Sequence, residues 1–216
     1  MKNQHWAPIG FILVVIIIII YLYPTGASEG GDQSGNPTLS NQAVYIDTYF
    51  RNIAFYSDKN RNDESALNIR KAIKTIKELQ ADVDDQSYER LESSLDELEN
   101  IQDAILEDSL DPGKMSSSFE FVLNNLARIE LEISEIYAET NQIETAQIAL
   151  KYAQAHIKNA ILFHSKLEGS NEEQLVIEQK VFSEMDSLLE NNRISPVAYT
   201  LMLDKMIQEV DSLLGM

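Results

Sequence analysis

Residues 117–161 read SSFEFVLNNLARIELEISEIYAETNQIETAQIALKYAQAHIKNAI, and this stretch decides the fold. Apolar side chains recur at spacings of three and four through Phe119, Val122, Leu123, Leu126, Ile129, Ile133, Ile136 and Tyr137, the period of a helix with one apolar face. Ser117 followed by Glu120 has the spacing of a capping box, so the helix is expected to start there. Asn141 and Glu144 repeat that spacing and open a second helix, whose inner face carries Ala146, Ala149, Leu150, Ala153, Ile157, Ala160 and Ile161. Small residues on that face let the helices approach closely. The expectation is a long helical hairpin.

The same period extends in both directions. Upstream, Ile46, Tyr49, Phe50 and Ile53 mark one helix, and residues 57–63, SDKNRND, break it. Ile69, Ile73, Ile76, Leu79 and Val83 mark a second helix; Tyr88, Leu91, Leu95, Leu98, Ile101 and Ile105 mark a third. Asp84-Asp85-Gln86 leaves room only for a tight connection between these two, so they should pack antiparallel, and Asp111-Pro112-Gly113 forms the turn that follows. Downstream, Gly169 is placed to end the hairpin's second helix, and Asn171 with Gln174 to cap the next, which carries Ile177, Val181, Met185 and Leu188. Ser195 and Pro196 suit the cap and first position of a last helix with Tyr199, Met202, Leu203, Met206, Val210 and Leu213. No alternating strand pattern occurs, so residues 41–216 read as an all-α domain, a bundle of six or seven antiparallel helices.

Tyr137, Asn141, Ala146, Leu150 and Ala153, with Ile133 at the first helix's apolar position, stand at spacings that resemble one tetratricopeptide repeat over about residues 127–160. The resemblance implies a protein-interaction scaffold without catalysis, and as an alternative architecture a short α-solenoid. It departs from the family's pattern in three respects: Lys158 occupies the place of the usual closing proline, the 34-residue period finds poor matches elsewhere in the chain, and the two helices look longer, at roughly twenty-five residues, than the dozen or so typical of that family.

Residues 6–23, WAPIGFILVVIIIIIYLY, are uncharged. As a helix they reach about 27 Å, close to the roughly 30 Å hydrocarbon thickness of a bilayer. The anchor is assigned to Trp6, Ile9, Phe11, Ile12, Leu13, Val14, Val15, Ile16, Ile17, Ile18, Ile19, Ile20, Tyr21, Leu22 and Tyr23, with Trp6, Tyr21 and Tyr23 as interfacial aromatics. Lys2 precedes this run and Glu29 and Asp32 follow it, which places the amino terminus in the cytoplasm and the domain outside. The alternative is a signal segment cleaved near Ala27, giving a secreted or periplasmic protein. Residues 24–40, rich in Gly, Pro and Ser, form a flexible tether. Three parts follow: an anchor or signal segment at 1–23, the tether at 24–40 and an acidic helical domain at 41–216.

Of the chain's 35 acidic side chains all but two lie in residues 41–216, as do all but one of its 17 basic ones. Nucleic acid would be repelled, since phosphate binding depends on Lys and Arg. The chain has no cysteine, which removes disulfides, lipid attachment through cysteine and thiol chemistry. Asp58, Asn60 and Asn62 begin like a calcium loop, but Asp63 replaces the required glycine and Ile69 the closing glutamate. His156 and His164 lie eight apart on one helix, too far round its surface to chelate one ion, and are read as surface or half-buried imidazoles. No catalytic residue, metal ligand or cofactor site is assigned, and the chain is read as not an enzyme. Tyr45, Phe55 and Tyr56 fall outside the first helix's core stripe and form the candidate contact surface. The expected function is that of a membrane-anchored extracytoplasmic interaction or scaffold module with a protein partner; the alternative is a sensor-type bundle that holds a small molecule between its helices.

Overall fold

The computed structural model describes residues 43–167, 171–191 and 194–215. Among them are seven α-helices and no strand: α1 (Ala43–Ser57), α2 (Asn62–Leu79), α3 (Asp85–Leu106), α4 (Pro112–Glu139), α5 (Ile143–His164), α6 (Glu172–Glu190) and α7 (Pro196–Leu213). A 3-10 turn, Gln80–Asp82, continues α2 toward α3. The anchor assigned to residues 6–23, the tether at 24–40 and the cap assigned to Gly169 lie outside the described residues. Among the described residues no helix is long and apolar enough to cross a membrane.

The α4–α5 hairpin is the axis of the bundle. Two apolar cores form along it. The first joins α1, α2 and α3 to the first half of α4 and the end of α5; Phe50 stacks on Phe119 with ring centroids 4.2 Å apart, and Phe163 meets Phe119 edge-on at 5.3 Å. The second joins the remainder of α4 and α5 to α6 and α7 around Leu131, Leu150, Met185, Tyr199 and Leu203. At 28 residues α4 is about 42 Å long, enough to run through both cores.

Helix ends explain most departures from the expected boundaries. α4 starts at Pro112, five residues before Ser117: the Asp111 carboxylate accepts from the Lys114 N–H at 2.6 Å, and proline at the first position has no N–H to leave unpaired. Ser117 and Glu120 are thereby drawn into the helix body, so their capping box does not form. Asn141 does not cap α5 either. It takes a left-handed conformation, φ 62°, in the reverse turn closing α4, where its N–H donates to the Ala138 carbonyl and that of Gln142 to Tyr137. Asp84, Asn171 and Ser195 do cap α3, α6 and α7 by accepting from backbone N–H groups.

The burial pattern corrects the single-stripe reading. Tyr88 is exposed, and so is Ile136, at 55%. Conversely, every residue of α4 from Val122 to Leu131 is buried, polar ones included. That segment has neighbours on all sides.

Candidate functional site

Where a helix is wrapped completely, most of its polar side chains find partners inside. Asn125 donates to the Ser94 hydroxyl at 3.2 Å, tying α4 to α3. Arg128 reaches Asp211 of α7 through Nε at 2.7 Å and pairs with Glu132 one turn along its own helix. Glu130 is fully buried and, among the described residues, neither of its oxygens has a hydrogen-bond partner. Burial pushes its carboxyl well above the usual range.

The most concentrated polar site lies where α4, α5 and α6 meet. Glu120, His164 and Glu178 are all buried, and one donor atom from each lies within 4.8 Å of the other two. Nδ1 of His164 is 2.9 Å from Oε1 of Glu120, which also accepts from the Gln174 amide at 2.5 Å. Asn124, one turn along α4 from Glu120, donates to Oε1 of Glu178 at 3.0 Å. Oε2 of Glu178, Oδ1 of Asn124 and Nε2 of His164 are buried without partners among the described residues. Burial pushes the Glu178 carboxyl up to about 7; the Asn124 hydrogen bond opposes the rise, while the neighbouring Glu120 adds to it. Two carboxyl groups facing each other inside a protein cannot both stay ionised unless a cation lies between them; otherwise one keeps its proton.

Sequence reasoning missed this convergence and misplaced both histidines, which are fully buried instead of surface or half-buried. Eight residues apart on α5, they point to different helices: His156 Nδ1 meets Asp47 of α1 at 3.0 Å, while His164 turns to α4. The signal that could have located the second pair is register. Glu120 and His164 lie 21 and 23 residues either side of the turn residue Asn141, so an antiparallel hairpin brings them level.

The other sequence candidates stay apart from this site. Tyr45 and Phe55 are 57% and 50% exposed on α1, and Tyr56 is half-buried with its ring edge-on to Phe55 at 5.4 Å. Lys59 lies 3.9 Å over the Phe55 ring and Arg61 4.7 Å over that of Tyr56. Asn62, in the loop that begins like a calcium site, is the first residue of α2, and its amide donates to Asp108 at 2.7 Å. A larger exposed apolar pair was not foreseen: Val197 and Leu201, at 81% and 69%, sit one turn apart on α7 beside Ala138 and Glu139. A cleft of about 200 Å³, lined by Val83, Ile129, Ile133 and Ile136 among others, runs along the uncovered side of α4. The α4–α5 hairpin is also longer than the tetratricopeptide resemblance implies, with 28 and 22 residues. The chain matches no protein-family model, and neither a curated protein nor a solved structure matches it.

Proposed function

We propose that the helical domain is a non-catalytic interaction module, held on the extracytoplasmic side of a membrane by the apolar segment at residues 6–23. The observation that carries this reading is the surface of α1, the first described helix after the tether, where Tyr45 and Phe55 stand half exposed. Aromatic side chains bring large contact areas at little entropic cost, and they anchor many protein interfaces. Charge adds a direction. The span from Ala43 to Leu79 holds seven of the chain's 17 basic side chains, including Lys59 and Arg61 over the exposed rings, in a protein of net charge −18. That hairpin suits an acidic partner, which the rest of the domain would repel.

Photo-crosslinking residues placed at 45 and 55 of the full-length protein in its membrane should give one discrete adduct. It should weaken in high salt and disappear in a Phe55→Ser background. The same adducts from a crosslinker at the exposed Leu162 of α5 would remove the support for α1. Protease added to intact cells should digest the domain; full protection would place it in the cytosol.

A further inference from the structure

Three buried donors from three separate helices face one point at the seam of the bundle, and their chemistry selects an occupant. We propose that Glu120, His164 and Glu178 form a binding site for one divalent first-row transition-metal ion, a role distinct from the contact surface on α1. Two carboxylates supply the charge that a doubly positive ion cancels. The imidazole decides the class of ion, because magnesium and calcium take all-oxygen shells whereas zinc, iron and their neighbours accept histidine nitrogen.

Two donors about 2.0–2.1 Å from one ion are separated by about 2.9 Å at right angles and by about 3.3 Å in the tetrahedral shell that zinc prefers. Nδ1 of His164 and Oε1 of Glu120 stand 2.9 Å apart, a spacing that a hydrogen bond also satisfies, and all three donors lie within 4.8 Å of one another, close enough for small side-chain shifts to bring them onto one ion. Oε2 of Glu178 has no partner among the described residues to give up. An independent observation points to the same place. Asn124 is fully buried with its amide nitrogen on Glu178, and its Oδ1 is without a partner among the described residues, so an unsatisfied neutral oxygen lies on the group that holds Glu178. Gln174 on Glu120 and Asn124 on Glu178 orient the two carboxylates, the outer-shell support that metal ligands ordinarily have. With no cysteine in the chain, thiolate does not compete for the ion. The rival occupant is a proton shared between the two carboxyls, which would hold the same geometry without any metal.

Full-length protein purified in detergent, stripped with chelator and dialysed against zinc, should retain close to one equivalent of zinc through gel filtration. Excess magnesium should not displace it. Glu178→Gln and His164→Gln should each weaken zinc binding at least tenfold, consistent with the usual effect of losing a ligand or its support. Glu92→Gln, on the exposed face of α3, should bind as the parent does. X-ray absorption at the zinc edge should show an oxygen and nitrogen shell with imidazole scattering. Should either substitution unfold the domain, Glu178→Asp keeps the charge while withdrawing the oxygen by one methylene, and should also bind more weakly. Retention below a tenth of an equivalent by the parent protein would overturn the metal site and leave the shared proton as the rival occupant. Equal retention by the parent and the site variants, or a zinc shell free of imidazole, would assign the metal to surface carboxylates and overturn it as well.

Discussion

Glu130 shows how one residue escapes a pattern-based reading. It follows Ile129 but lies off the apolar stripe, which next returns at Ile133, so its natural reading is a solvated carboxylate. α4 is enclosed on that side, and Glu130 is fully buried without a hydrogen-bond partner among the described residues. Its charge also raises the pKa of Tyr152 on α5, an effect second to that hydroxyl's own burial. Because the folded-state pKa of Glu130 lies above the unfolded one, the folded protein holds the proton more tightly. Stability therefore falls as pH rises from about 4.5 toward that raised value. Glu130→Gln, which has no proton to lose, should be more stable than the parent at pH 7.5 by about 1–3 kcal/mol, since each pH unit over which only the folded protein holds the proton is worth about 1.4 kcal/mol, with the gain vanishing near pH 4. Urea denaturation at the two pH values measures it; an equal difference at both would show that ionisation is not the cause. Phe119 presents the opposite case, an apolar residue correctly placed by periodicity. It stacks on Phe50 and meets Phe163, so Phe119→Ala should cost about 3–5 kcal/mol in the same assay.

At the scale of the helices, local chemistry accounts for where most elements begin and end. Asp84 accepts from the backbone N–H groups of Gln86 and Ser87, at 2.9 and 3.0 Å. Those hydrogen bonds hold its carboxyl below the usual range. Asp84→Ala should lower stability by about 1 kcal/mol, with the loss confined to faster amide exchange in the first turn of α3. Loss of protection spread over the whole bundle would contradict a capping role. Asn141 occupies the left-handed position between α4 and α5, so Asn141→Ala should cost about 1 kcal/mol while Asn141→Gly is neutral or stabilising, as thermal melts would register. The two errors of helix start share one cause. Ser117 with Glu120 and Asn141 with Glu144 carry acceptable capping spacing, but Asp111-Pro112 and the reverse turn at Asn141 engage the backbone first. Once α4 has begun at Pro112, Glu120 lies two turns inside it and its carboxylate goes to His164 and not to a helix terminus.

Across the whole molecule, two cores share the continuous backbones of α4 and α5, which ties their stabilities together. Phe119→Ala in the first core and Leu203→Ala in the second should therefore lower one common thermal midpoint, read by circular dichroism and by tyrosine fluorescence. Two separated transitions would mean that the hairpin does not couple them. Ionic contacts reinforce this coupling at a second place, where Asp211 of α7 meets Arg128 of α4 at 2.7 Å and Arg90 of α3 at 3.6 Å.

Periodicity alone determines that the folded part is all-α. It also locates the helices within a few residues and identifies Phe50, Phe119, Ile157, Val181 and Tyr199 as core, because an amphipathic helix must bury its apolar stripe wherever it packs. Which polar residues go inside is a different kind of question. A stripe specifies one buried face, whereas the burial of Glu120, Asn124, Glu130, His156, His164 and Glu178 depends on how many neighbours surround each helix and in what register. Only the tertiary structure decides that, since the partners of these groups lie on other helices and a one-dimensional pattern holds no record of the distance between them.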